Sequence, residues 1–211
     1  MDSFLSSDEV GLKVCGVTSP EDAWQLAEMG VEALGVNFWP QSKRFCSVED
    51  AFFLKHLEGQ IVRVGVFVNA EREEPERLLS EGIIDYAQFH GDEDAEYCGY
   101  FAQRGLPYIR AIGVKDEDSV TALELSECSA LLLDAHAPGV YGGTGQTCDW
   151  TIVEKVQERY PTVPIVLAGG ITVGNVAQAR LLKHIVALDV ASGAEKSPGV
   201  KDFDKVARLM G

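Results

Sequence analysis

No two of the five cysteines form a CxxC pair. Cys15, Cys46, Cys98, Cys128 and Cys148 are widely separated, odd in number and without a histidine-rich partner motif. That pattern argues against a structural zinc module and against a disulfide-stapled secreted domain. Basic residues are also few, with 18 Lys and Arg against 33 Asp and Glu, for a formal net charge of -15. A general nucleic-acid binder needs a basic face, and docking on an anionic membrane needs basic clusters, so both classes are excluded. An anionic small substrate is not, because one or two local cations and helix N-termini suffice for it. No run of about 20 apolar residues exists to span a bilayer. The segment Met1–Val10 is acidic and lacks both a basic start and an apolar stretch, so no secretory leader is expected. A reducing cytosol is the expected compartment.

What is present is one rhythm repeated along 211 residues, 46% of them hydrophobic. A short β-branched run is followed by a Gly-, Asn- or Asp-rich stop and then an amphipathic stretch. Strands are expected at Leu12–Val17, Ala33–Phe38, Val62–Val68, Tyr86–His90, Tyr108–Val114, Ala130–Asp134, Pro164–Ala168 and Ala187–Val190. Helices are expected at Pro20–Met29, Val48–Leu57, Pro75–Glu81, Asp94–Gln103, Glu117–Leu125, Trp150–Tyr160, Val173–Leu182 and Asp202–Met210. Parallel strands with crossover helices make either an open doubly wound sheet or a closed barrel. Eight units in about 200 residues favour an α/β fold of one (β/α)8 TIM barrel. No Pro- or Ser-rich linker divides the chain. Residues 11–211 read as one catalytic domain, and residues 1–10 as a flexible extension.

In such a barrel the chemistry gathers where the strands end. Strand one ends in Cys15-Gly16-Val17-Thr18, and alternation puts Lys13 on the same face as Cys15, where an ammonium favours a thiolate. Cysteine is more often a small buried hydrophobe than a base, and the other four cysteines read that way. Strand six ends in Asp134 after Leu131-Leu132-Leu133, a carboxylate desolvated on one side, which suits an acid but also a helix cap. Gly169-Gly170 and Ser192-Gly193 close strands seven and eight, the usual phosphate-binding corner of this fold. Glycines admit a close backbone approach, and no basic residue lies between Pro164 and Gln178, so any anion there would rest on backbone N–H groups. Arg44, after strand two, is able to clamp a carboxylate through two parallel hydrogen bonds, or to be a solvated loop charge. His90 at the end of strand four suits a hydrogen-bonding partner of the site better than a catalytic group.

The chain resembles phosphoribosylanthranilate isomerases from about Leu12 to Met210. The matching segments are Lys13-Val14-Cys15-Gly16-Val17-Thr18, Ser42-Lys43-Arg44-Phe45, Val64-Gly65-Val66-Phe67-Val68-Asn69 and Gln88-Phe89-His90-Gly91-Asp92-Glu93. They continue in Leu133-Asp134, Gly142-Gly143-Thr144-Gly145, Asp149-Trp150, Leu167-Ala168-Gly169-Gly170-Ile171 and Asp189-Val190-Ala191-Ser192-Gly193. Each is weak alone, and their order together is specific. The resemblance implies a cofactor-free, metal-free Amadori rearrangement in tryptophan biosynthesis. N-(5-phosphoribosyl)anthranilate becomes 1-(2-carboxyphenylamino)-1-deoxyribulose 5-phosphate. It implies Cys15 as general base, Asp134 as general acid and Arg44 as holder of the anthranilate carboxylate. His90, Gly143, Gly169, Gly170, Asp189, Ser192 and Gly193 are then expected around the substrate. Two departures stand out: Ala191 replaces a frequent serine, and Cys148 a frequent aromatic.

The partner implied is one small anionic substrate, taken by a monomer or homodimer. Rival readings are another phosphosugar barrel enzyme, such as a pentose-phosphate epimerase or a thiamin-phosphate-synthase-like enzyme, and a non-catalytic phosphoribosyl-ligand sensor. A metal-dependent epimerase would need His and Asp ligands at several strand ends, and the histidines are only His56, His90, His136 and His184. A sensor would have no need of both Cys15 and Asp134.

Overall fold

The computed structural model describes residues 4–6, 9–114, 127–135, 150 and 152–211. Eight parallel strands close in chain order: β1 (Gly11–Cys15), β2 (Ala33–Asn37), β3 (Val62–Phe67), β4 (Tyr86–Phe89), β5 (Tyr108–Val114), β6 (Ala130–Ala135), β7 (Ile165–Leu167) and β8 (Ile185–Val190). β1 completes the ring by pairing with both β2 and β8, with Lys13 beside Ala33 on one side and beside Asp189 on the other. The outer layer holds α1 (Pro20–Glu28), a 3-10 helix (Asp50–Leu57), α2 (Glu73–Ser80), α3 (Ala95–Gln103), α4 (Ile152–Arg159), α5 (Val176–Ala179) and α6 (Phe203–Met210). The helix expected at Glu117–Leu125 lies outside the described residues.

Because every strand is covered on both faces, two apolar layers form. Alternate side chains fill the barrel with Ala33, Val64, Ile109, Ala111, Leu132, Val166 and Ala187. The others, among them Val14, Leu34, Phe89, Leu131 and Leu188, pack outward against Leu26, Leu78, Phe101, Val206 and Leu209 of the helices. The extension expected to be flexible departs from that reading at Phe4, which is fully buried in the interior cluster. A Cβ on Gly11 would lie 3.7 Å from its ring, so Phe4 sits at the start of β1 and plugs the base of the barrel.

Three elements differ from the expected ones for local reasons. In the segment expected to be an α-helix at Val48–Leu57, the buried residues Ala51, Leu54 and Leu57 recur every third position, the period of the 3-10 helix that forms. α5 starts late because the Asn175 side chain accepts the Thr172 N–H at 2.7 Å, holding that stretch as a turn. An unexpected hairpin of β9 (Glu195–Ser197) and β10 (Val200–Lys201) follows β8. Pro198-Gly199 makes its turn, with Gly199 at φ 83°.

Candidate active site

Cys15 ends β1 at the open rim, above a buried charge pair. Lys13 is wholly buried and its Nζ lies 2.7 Å from Asp189 Oδ1. The pairing of Cys15 with Gly35 on β2 makes this possible. A Cβ on Gly35 would stand 2.8 Å from Cys15 Sγ and 3.1 Å from Lys13 Nζ, so both side chains occupy the room that a larger residue would take. Burial pushes the Cys15 thiol up and Lys13 pulls it down; Asp189 pushes up, Lys201 pulls down, and the net shift is upward. Burial alone would lower the Lys13 ammonium, but Asp189 and Cys15 outweigh it and hold it charged. Asp189, expected among the substrate contacts, therefore has the geometry of Lys13's counterion.

Asp134 is the penultimate residue of β6, three strands away around the ring, and is 6% exposed. His90 Nε2 lies 3.2 Å from its Oδ2, and the Gln88 amide nitrogen lies 3.0 Å from His90 Nδ1. An amide NH2 only donates, so a neutral imidazole accepts at Nδ1 and carries its hydrogen on Nε2, toward Asp134. The loop bearing His90 is fixed from behind. Glu93 accepts the N–H groups of Asn69 and Gly91 at 2.8 and 2.9 Å and an Arg110 hydrogen bond at 3.0 Å. His90 is thus placed as a hydrogen-bonding partner of Asp134, with Gln88, Glu93 and Arg110 around its loop.

The loops after β7 and β8 interlock. Gly169 and Gly170 both adopt positive φ, 85° and 68°, and the Asn175 side chain donates to the Gly170 carbonyl at 2.9 Å. A Cβ on Gly193 would fall 2.1 Å from the Ile171 carbonyl oxygen, so only glycine allows the two loops to meet. Among the described residues, the N–H groups of Gly170, Ser192 and Gly193 find no protein acceptor. Gly143 and the segment Gly142–Gly145 lie outside the described residues.

Arg44 does not reach out as an isolated fork. Its Nε and Nη2 meet both carboxylate oxygens of Glu195 at 2.8 and 2.7 Å. Its stem lies across Gly16, where a Cβ would come within 2.2 Å of Arg44 Cδ. Glu195 and its second cation, Lys201, were not legible as site residues. Pro198-Gly199 signals a turn, but nothing local says that its flanks pair as strands or fold over β1. A cavity of about 770 Å³ opens nearby between Trp39, Phe45, Val48 and Asn69, and its lining includes neither Cys15 nor Arg44 nor Asp134. Among the described residues no group of three or more His, Cys, Asp or Glu is arranged to hold a metal ion. No helix among them is long and apolar enough to cross a membrane.

This constellation can supply an acid on one wall, a sulfur base on another, and N–H donors for an anion between them. The family model of N-(5'-phosphoribosyl)anthranilate (PRA) isomerase matches residues 12–211. An N-(5'-phosphoribosyl)anthranilate isomerase of Azotobacter vinelandii is 41% identical over 197 residues, covering 92% of each chain. The crystal structure of phosphoribosyl anthranilate isomerase from Thermotoga maritima superposes with a TM-score of 0.83 at 37% identity, covering 95% of this chain and 97% of that one. A further phosphoribosyl anthranilate isomerase, solved in complex with reduced 1-(o-carboxyphenylamino)-1-deoxyribulose 5-phosphate, has a TM-score of 0.80 at 34% identity, covering 95% and 96%.

Proposed function

This chain belongs to the N-(5'-phosphoribosyl)anthranilate isomerase family, and from that premise we propose how its rim performs the reaction. It isomerises N-(5'-phosphoribosyl)anthranilate to 1-(2-carboxyphenylamino)-1-deoxyribulose 5-phosphate, a step of tryptophan biosynthesis. In the proposed assignment Asp134 gives a proton to the furanose ring oxygen. The C1–O bond then breaks, and the ring opens to a Schiff base. The Cys15 thiolate takes the proton from C2, its electron pair forms the C1–C2 double bond, and the resulting enol-amine ketonises. Protons move and no net oxidation occurs, so no electron sink is required. Two positioned groups on opposite sides of the substrate are what such a sequence needs.

The observation that carries the assignment is the pairing of one braced acid with one braced thiol. His90 aligns Asp134, and Lys13 stands beside Cys15. The phosphate is assigned to the N–H groups of Gly170, Ser192 and Gly193, which act as a dipolar cradle without a lysine. The anthranilate carboxylate is assigned to the edge of Arg44 that Glu195 leaves over. The proposed setting is the cytosol, with this one anionic ligand as partner.

Fluorescence-monitored turnover of N-(5'-phosphoribosyl)anthranilate tests the assignment. Cys15→Ser and Asp134→Asn should each lose about 10²-fold or more in kcat while keeping the fold, in line with general acid–base contributions. Near-normal turnover in either purified variant removes that residue from the mechanism.

A further inference from the structure

We infer that Glu195 and Lys201 are positioning residues for substrate recognition. Glu195 fixes which edge of the Arg44 guanidinium faces the anthranilate carboxylate, and Lys201 ties that setting to the strand carrying Cys15. The inference rests on the carboxylate-holding role proposed for Arg44.

The geometry is a closed bracket across three rim loops. Glu195 Oε1 accepts from Arg44 Nε at 2.8 Å, Lys201 Nζ at 2.9 Å and the Gly199 N–H at 3.1 Å, while Oε2 accepts from Arg44 Nη2 at 2.7 Å. Lys201 Nζ also donates to the Cys15 carbonyl oxygen at 2.6 Å. The hairpin that presents both residues is itself fastened to the loop after β1. Thr18 Oγ1 donates to the Gly199 carbonyl at 2.8 Å, and the Lys201 N–H donates to Asp22 Oδ2 at 3.0 Å. Side-chain exposure is 3% for Glu195 and 0% for Lys201, so neither charge is stabilised by water and each depends on this geometry. Arg44 is left with its Nη1 side, which among the described residues has no protein partner.

Two roles for Glu195 predict opposite outcomes. The bracket holds two cations and one anion and so carries a net charge of about +1 toward the rim. If Glu195 were only a counter-charge, neutralising it would strengthen the pull on a substrate carboxylate. If it positions Arg44, neutralising it breaks the two-point clamp, because an amide presents one acceptor and one opposing donor. The flexible guanidinium then loses its set direction, and carboxylate binding weakens. Removal of Lys201 also weakens it, since the remaining Arg44–Glu195 pair is neutral and its tie to β1 is gone.

Calorimetric titration separates these. The ligands are reduced 1-(o-carboxyphenylamino)-1-deoxyribulose 5-phosphate, which bears both anions, and ribose 5-phosphate, which lacks the carboxylate. Glu195→Gln and Lys201→Met should each weaken the first by about tenfold or more and leave the second within about twofold. Equal or tighter binding of the first ligand by Glu195→Gln, with Arg44→Ala weakened, overturns the inference and leaves the Arg44 assignment standing. Unchanged binding by Arg44→Ala overturns that assignment, and the inference falls with it. If Glu195→Gln fails to hold ribose 5-phosphate, the double variant Glu195→Gln/Lys201→Met, which leaves no buried charge unpaired within the bracket pair, carries the same comparison. The Arg44→Ala/Glu195→Gln pair should then be no worse than Arg44→Ala alone, the non-additivity of residues acting as one unit.

Discussion

Cys15 is the side chain on which most of the electrostatics converge. Burial comes first and raises its thiol, Lys13 opposes it, and the net result lies above the ordinary value. In its proposed role as base Cys15 works when deprotonated, so a raised thiol means activity that grows as the solution becomes more alkaline. We expect kcat/KM of the free protein to climb through and past the usual thiol range of about 8.5. Lys13→Met should move that limb to still higher pH, because it deletes the largest influence holding the thiol down. A limb unmoved in Lys13→Met would detach Lys13 from Cys15. Glu195 gives a second pH signature, from a shift of opposite sign. Burial pushes its carboxyl up, but the Arg44 hydrogen bonds and the Lys201 charge outweigh it and hold it below the usual range. A depressed carboxyl adds stability above its unfolded value, near 4.3, and loses it as pH falls through the lower folded value. Acid unfolding of Glu195→Gln should therefore show a shallower dependence over that window than the parent protein; identical slopes would contradict the ion-paired state of Glu195.

Elements separate what holds the barrel from what works at its rim. β5 is found at Tyr108–Val114, where it is expected, because Ile109, Ala111, Ile112 and Val114 announce a strand even with Arg110 among them. The hairpin β9–β10 is too short and polar to do so. At the base, α1, α2 and α3 end at Gly30, Gly82 and Gly105, with φ of 81°, 66° and 64°. A Cβ on Gly82 would meet nothing within 4 Å, so replacing it costs backbone conformation alone. Gly82→Ala should lower stability by about 1–2 kcal/mol, the penalty for an L-residue in the left-handed region. In a chain of this size that is a fall in Tm of roughly 2–8 °C, readable by calorimetry. The active-site loops are at the opposite end, so kcat should not change. A loss of turnover beyond the unfolded fraction would show that base and rim are coupled.

At the scale of the molecule, the eightfold order was legible and the pairings that make the site were not. Strand and helix periods are written within ten or so neighbouring residues. The contacts Lys13–Asp189, Arg44–Glu195 and Cys15–Lys201 join positions that only ring closure brings together, across the seam between β1 and β8. Lys13 was readable as facing Cys15, but its counterion was not. Phe4 is the same case in the apolar core. Its acidic, Ser-rich neighbourhood reads as a loose leader, yet it is fully buried against the interior layer of Ala33, Ile109, Ala130 and Ala187. Truncating a buried Phe to Ala costs about 3–5 kcal/mol when the site cannot collapse, and a strand-walled barrel base has little freedom to do so. Phe4→Ala should therefore lower Tm by roughly 6–20 °C. Because Phe4 is at the end opposite Cys15 and Asp134, kcat measured well below the transition should stay within about twofold, a change of less than about 0.5 kcal/mol in barrier. A variant that melts with the parent would return residues 1–10 to a loose extension, and a variant with intact stability but lost turnover would place Phe4 in communication with the rim.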